Sequence, residues 1–404
     1  MRLSRAALRP LYTTIYLPTW LRLMGARIDR RAEISTVSQL APEMTHIGSQ
    51  SFLADGSIVA GRRVHRGSLD LRPVSIGRRS FVGNNAILPV GRSLGDRCLL
   101  GVLSAPPQNH PGAPEGSEWL GSPSFVLPYR QKVGGFDERT THEPTAALIA
   151  QRLLIDFVRI LIPPTLWMAV GVGVCACLFA LVRRSGFEVA FAVIPAVAIA
   201  LSMGAMLAVV AVKRLFIGTF KPIIKPLWSM IVCLNEAVNG AYESVMAPIL
   251  IPLLGTPFCA PWLRLLGCKV GRWAYLETTL FSEFDLVRIG DFAALNAGGV
   301  VQNHLFEDRI MKADVLTIGA DCSVGNMAVV LYDTEMASGA SVGPLSLLMK
   351  GEVLPAATDW LGIPTSSSLP HPALASLHSG MSRDASAAER CLALPALPSQ
   401  GEVE

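Results

Sequence analysis

His304 is the side chain in this 404-residue sequence best placed for proton-transfer chemistry. It comes just after Val301, the last aliphatic of a regular run, where the pattern breaks and a loop towards Ile318 begins. Glu307 and Asp308 follow closely. An imidazole oriented by a carboxylate can take the proton of an attacking amine or hydroxyl, while backbone amides hold the oxyanion. His304, Glu307 and Asp308 are therefore the predicted catalytic set. As plain structure they are a loop histidine with solvated acidic neighbours. Four further residues are candidates for meeting substrate: His110 in a Pro/Gly-rich loop, Asp55 and Asn84 where turns pass close together, and Asn326, which repeats Asn84. Asparagine tolerates positive φ at a corner, a sufficient structural reason for the last two.

These residues hang on a pattern with a period of six. Ile318, Val324, Val330, Met336, Val342 and Leu348 recur at that step, with Gly319, Gly325 and Gly343 directly behind three of them. Ile76, Val82, Leu88, Leu94 and Leu100 repeat it earlier, as do Ile47, Leu53 and Val59, and Ile289, Leu295 and Val301. Six is neither the helical period nor simple alternation. It fits a left-handed parallel β-helix of hexapeptide repeats, in which short strands turn corners and small residues ease each bend. Trp20-Leu-Arg-Leu-Met-Gly25 matches Trp262-Leu-Arg-Leu-Leu-Gly267, an offset of 262 − 20 = 242, and Val82-Gly-Asn84 matches Val324-Gly-Asn326 at the same offset. The chain is predicted to be a tandem pair of such modules that pack together. The position equivalent to His304 is Arg62, so the first module cannot use the same base; His65 and His46 are read as solvated corner residues.

Between the copies the character changes. Residues 160–182 and 189–212 carry no charge, and each run is long enough for a hydrocarbon core of about 30 Å. An apolar fraction of 51%, a charged fraction of 16% and a mean hydropathy of +0.42 agree with partial membrane residence. Arg152, Lys213, Arg214, Lys221 and Lys225 flank the pair, which puts both modules on the cytoplasmic side of a plasma (inner) membrane crossed more than once. The expected order is a basic interfacial segment (1–25), a first β-helix (26–125), a linker (126–159), two transmembrane helices (160–225), an interfacial or re-entrant segment (226–260), a second β-helix (261–365) and a disordered tail (366–404). A net charge of +4 does not argue for nucleic acid, and eight cysteines without CxxC spacing suggest neither a metal site nor a disulfide framework.

Glu283-Phe-Asp-Leu-Val-Arg-Ile-Gly290, His304-Leu-Phe-Glu-Asp-Arg309, Pro344-Leu-Ser-Leu-Leu-Met-Lys-Gly351 and Trp360-Leu-Gly-Ile-Pro364 form one set of words. Ser51-Phe-Leu-Ala-Asp-Gly56, Ser80-Phe-Val-Gly-Asn84 and Trp119-Leu-Gly-Ser-Pro123 form another. In this order, around membrane segments, they resemble the membrane-bound terminal region of nonribosomal peptide synthetases of the ε-poly-lysine synthetase type. The resemblance covers about residues 10–365. It implies a condensing unit that joins a carrier-bound aminoacyl thioester to an amine or hydroxyl acceptor. The thioester is carried on the 4'-phosphopantetheine of a partner carrier protein, or on acyl-CoA, with no cofactor bound covalently here. Adenylation and carrier segments of that family are not found in the sequence. The expected partners are therefore the membrane, an adenylation- and carrier-bearing synthetase acting in trans, and an amino acid or other small acceptor. The alternatives are a non-catalytic scaffold or truncated remnant docking such a synthetase, and an acetyl-CoA-dependent hexapeptide acetyltransferase.

Overall fold

The computed structural model describes residues 9–59, 63–107, 112–127 and 134–368. Most of the strands lie in parallel sheets, and the six-residue step becomes the side of a three-sided coil. In the second half the chain visits three sheets in rotation, and equivalent residues of successive turns stack. Ile289, Ile318, Met336 and Leu354 lie in one column, Leu295, Val324 and Val342 in a second, Val301, Val330 and Leu348 in a third. All ten are at most 4% exposed. Burying each contributes roughly 1.5–3 kcal/mol over leaving it in water, which is why one aliphatic per side holds the coil together. The first half repeats the arrangement with Ile47, Ile76 and Leu94, with Leu53, Val82 and Leu100, and with Val59 and Leu88.

The glycines behind these aliphatics have a different role from the one expected. A Cβ on Gly325 would stand 2.5 Å from the Pro344 nitrogen of the next turn. Close stacking of backbone, not bending, is what demands a small residue there. The corners are turned by non-glycine residues at positive φ, such as Asp321, Met327 and Leu345. Asn85 and Met327 take that conformation, one residue after the expected Asn84 and Asn326.

Helix α1 (Tyr16–Leu23) lays Leu17 and Leu21 into the core of the first coil, so this part of the expected interfacial segment is an end cap. Helices α2 (Ala146–Ser185) and α3 (Phe187–Phe216) are long and apolar enough to cross a membrane. Helix α2 starts within the expected linker. Helix α4 (Met230–Ala241) runs on through a π-turn at Tyr242–Met246 into Ala247–Leu250. Tyr242, Met246 and Leu250 enter the core of the second coil with Met206 and Val209 of α3, so this segment is bound to the coil. Helix α5 (Cys259–Leu266) caps the second coil as α1 caps the first. Ser366–Ser368 pairs with Asp359–Leu361, where a disordered tail was expected to begin; residues 369–404 lie outside the described residues.

Each coil throws out one hairpin at the same place. Hairpin one joins Arg63–His65 to Ser68–Asp70, and hairpin two joins His304–Glu307 to Ile310–Ala313. Hairpin two is extended to three strands by Ile223–Pro226, which runs antiparallel to Ile310–Ala313. The coils pack directly, but through different surfaces. The first contributes Phe52, Phe81, Val102 and Leu120; the second contributes hairpin two with Val329, Leu331 and Leu347. The contact is head-to-tail, and not the isologous face of a two-fold pair.

Candidate active site

Hairpin two stands where a loop was expected. Its turn is Asp308-Arg309, with φ of +50° and +61°, the two-residue form that suits strand twist. Arg309 is 2% exposed and reaches into the first half. Its guanidinium donates to the carbonyls of Arg31, Ser51 and Thr141 and lies 3.8 Å from Glu33 Oε1. The hairpin tip is therefore pinned to the first coil, and His304 at its base faces that coil.

The carboxylate that orients His304 is Glu283, not Glu307 or Asp308. His304 Nδ1 lies 2.7 Å from Glu283 Oε2. Glu283 is 2% exposed and held in the left-handed region at φ +40°. Its Oε1 accepts from Asn235 Nδ2 at 2.6 Å and Asn239 Nδ2 at 3.2 Å, two residues one turn apart on α4. Burial pushes the Glu283 carboxyl up, but His304 and the side-chain donors outweigh it and hold the group below its ordinary range. Burial likewise pushes the His304 imidazole down, and the Glu283 carboxylate more than reverses this, so its pKa lies above the ordinary 6.5. With Nδ1–H committed to Glu283, Nε2 is the nitrogen left for proton transfer.

Glu307 is engaged elsewhere. Its carboxylate takes Lys312 Nζ at 2.5 Å and Lys350 Nζ. Asp308 sits in the hairpin turn. His110 and Arg62 lie outside the described residues. Asn326 is exposed at a corner where its carbonyl accepts from Leu345 N, away from His304. His65 is exposed on hairpin one, and His46 stands 3.8 Å from Asp29 at another corner.

Asp55 and Asn84 line the same cleft as His304. A narrow, partly open cleft with room for about one water lies between the two coils. The first coil lines it with Ser35, Phe52, Asp55 and Asn84, the second with Gln302, His304 and Phe306. Asp55 Oδ1 accepts from Ser35 Oγ and, at 3.2 Å, from Thr36 Oγ1. The Phe52 ring lies 5.6 Å from Phe81 and 5.4 Å from Phe306, and Phe306 meets the His304 ring edge-on at 5.5 Å. An imidazole backed by a buried carboxylate thus shares an aromatic-walled cleft with a second carboxylate.

The helical segment holds this geometry from behind. At the foot of α2, Arg152 bonds Asp156 at 3.1 Å, the Thr13 carbonyl at 3.1 Å, and Glu236 of α4. At the end of α3, Lys213 Nζ lies 2.5 Å from Asp285 Oδ2, and the same oxygen accepts from Phe220 N at 2.7 Å. Asp285 is two residues from Glu283, so both long helices fix the dyad. Sequence reasoning missed Glu283, Asn235, Asn239, Gln302, Phe52 and Phe306. The signal for Glu283 was its distance from His304, little more than one 18-residue turn of coil, as between Ile318 and Met336.

No protein-family model matches the chain. It is 36% identical over 362 residues to the Delta-poly-L-ornithine synthetase of Acinetobacter baumannii (strain AB307-0294), across 89% of this chain and 27% of that protein. The chain therefore spans about a quarter of the length of this curated relative, a poly-amino-acid synthetase. A solved N-acyltransferase from Bacillus cereus, in complex with dTDP and 3-hydroxybutyryl-CoA, aligns over 92% of this chain and 96% of that one, at 8% identity and a TM-score of 0.18. A superposition that loose carries no argument.

Proposed function

We propose that the chain is a membrane-anchored transferase that joins a carrier-bound aminoacyl thioester to the amine of a cationic amino acid. The observation that carries this reading is the His304–Glu283 pair opening on a cleft with Asp55 on its far side. His304 Nε2 takes the proton as the amine attacks the thioester carbonyl. The C–S bond then breaks, and the proton passes to the departing phosphopantetheine thiolate. We assign the Asn84 carboxamide to the oxyanion and Asp55 to the cationic end of the acceptor. The identity to a poly-ornithine synthetase supports ornithine or lysine as that acceptor, and the quoted sequence words support the ε-poly-lysine type. In this reading both coils are left-handed β-helices lying in the cytoplasm, α2 and α3 cross the plasma membrane, and the loaded carrier comes from a synthetase in trans.

The test is condensation by the full chain in detergent micelles, with a carrier protein loaded with ornithine and free ornithine as acceptor. Amide-linked product is expected. Turnover with acetyl-CoA alone would move the chain to the simple acetyltransferases, and inertness with every loaded carrier would make it a scaffold. Asp55→Asn is expected to raise the acceptor KM about 10- to 100-fold, since a hydrogen bond to a charged group contributes about 1.5–3 kcal/mol. An uncharged amine acceptor should feel the change far less. Equal effects on both acceptors would remove Asp55 from recognition.

A further inference from the structure

Hairpin one exposes the same apolar positions that hairpin two buries or half-buries. Val64, Leu69 and Leu71 stand 242 residues before Phe306, Met311 and Ala313, the repeat offset between the two copies (306 − 64 = 242). Phe306 packs on Phe52, and Met311 and Ala313 are 1% and 4% exposed on the strand that Ile223–Pro226 covers. Val64, Leu69 and Leu71 are 69%, 55% and 46% exposed. Among the described residues hairpin one is a two-stranded sheet by itself, and the outer edge of Ser68–Asp70 has no strand on it. An isolated pair of strands is marginal in water, and an unpaired edge is a template for strand addition. The charge around the hairpin also has a sign. The hairpin and its flank carry Arg63, Arg66 and Arg72 against one carboxylate, Asp70, which Arg72 holds at 2.8 Å.

We propose that the edge at Ser68–Leu71 takes an extended strand of a partner polypeptide in which apolar and acidic residues alternate. It adds antiparallel, as Ile223–Pro226 adds to Ile310–Ala313 in the second copy. Main-chain hydrogen bonds supply the attachment, the apolar residues cover Leu69 and Leu71, and the carboxylates meet Arg63 and Arg66. The duplicate shows what this edge does when a strand is within reach, and the arginines select the sign of the partner.

The test is amide hydrogen exchange on the full chain in micelles, with a short blocked peptide of alternating Ile and Glu as probe and one of alternating Ile and Lys as comparison. Saturating Ile–Glu peptide is expected to slow exchange at residues 68–71 by about tenfold, with coil amides such as Val82 unchanged. The paired change Arg63→Glu with Arg66→Glu, on the exposed hairpin and clear of the coil core, is expected to reverse the preference to the Ile–Lys peptide. No protection by the Ile–Glu peptide, equal protection by both peptides, or an unreversed preference in the variant would overturn the proposal. Protection that grows with protein concentration and no peptide would give the edge to a second copy of the chain instead, and would equally overturn it.

Discussion

Under the proposed function, His304→Ala is expected to lower condensation by about 10²–10⁴, the usual contribution of a general base, while the fold stays intact. The side chain lies at the base of hairpin two, and the coil is held by the aliphatic columns on either side of it. Its loss leaves Glu283 with the two amides of Asn235 and Asn239, so that carboxylate stays partly satisfied. A modest loss of stability is therefore expected beside a large loss of rate. The measurement is single-turnover condensation with a saturating loaded carrier, with thermal unfolding in the same micelles. Wild-type turnover by the variant would remove His304 from the chemistry.

Val324→Asp should abolish the second module altogether. Val324 is 0% exposed at the centre of its column, between Leu295 and Val342. An ionised carboxylate there costs several kcal/mol with no partner to offset it, a large share of the roughly 5–15 kcal/mol that holds a domain folded. Met327→Asp is the comparison: this side chain is 60% exposed at a corner with φ +55°, a conformation that Asp accepts. Limited proteolysis reads both. Cleavage throughout 269–361 is expected for the first and the wild-type pattern for the second. A protease-resistant Val324→Asp protein would contradict the stacked-column account of the core.

The period of six made the coil legible, because each inward aliphatic announces one side of it. Local spacing served less well for the site. Triad reasoning looked for the carboxylate three or four residues from His304, but side-by-side neighbours in a coil lie about one turn apart, as Asp55 and Asn84 do. Stacking of successive turns is the reason: Leu53 sits over Val82, which carries Asp55 to Asn84. Hairpin two was hidden because its Asp308-Arg309 turn lacks the glycine that usually marks such a turn. The head-to-tail contact of the coils, which brings Asn84 into the cleft and leaves Asn326 outside, depends on surfaces that two similar repeats do not distinguish in sequence.

The dependence of kcat/KM on pH, compared between the wild type and Glu283→Gln, tests the His304–Glu283 pair most directly. A base must be neutral to accept a proton, so activity rises as pH passes the His304 pKa. Burial pushes that pKa down and the Glu283 carboxylate raises it further than burial lowers it. The wild-type acid limb is therefore expected above pH 6.5, and Glu283→Gln, which keeps the shape and removes the charge, should move it to lower pH. The plateau rate should fall as well, since the amide orients the imidazole less firmly. Acid limbs that coincide in the two proteins, or a wild-type profile with no acid limb, would contradict the assignment of His304 as a base held by Glu283.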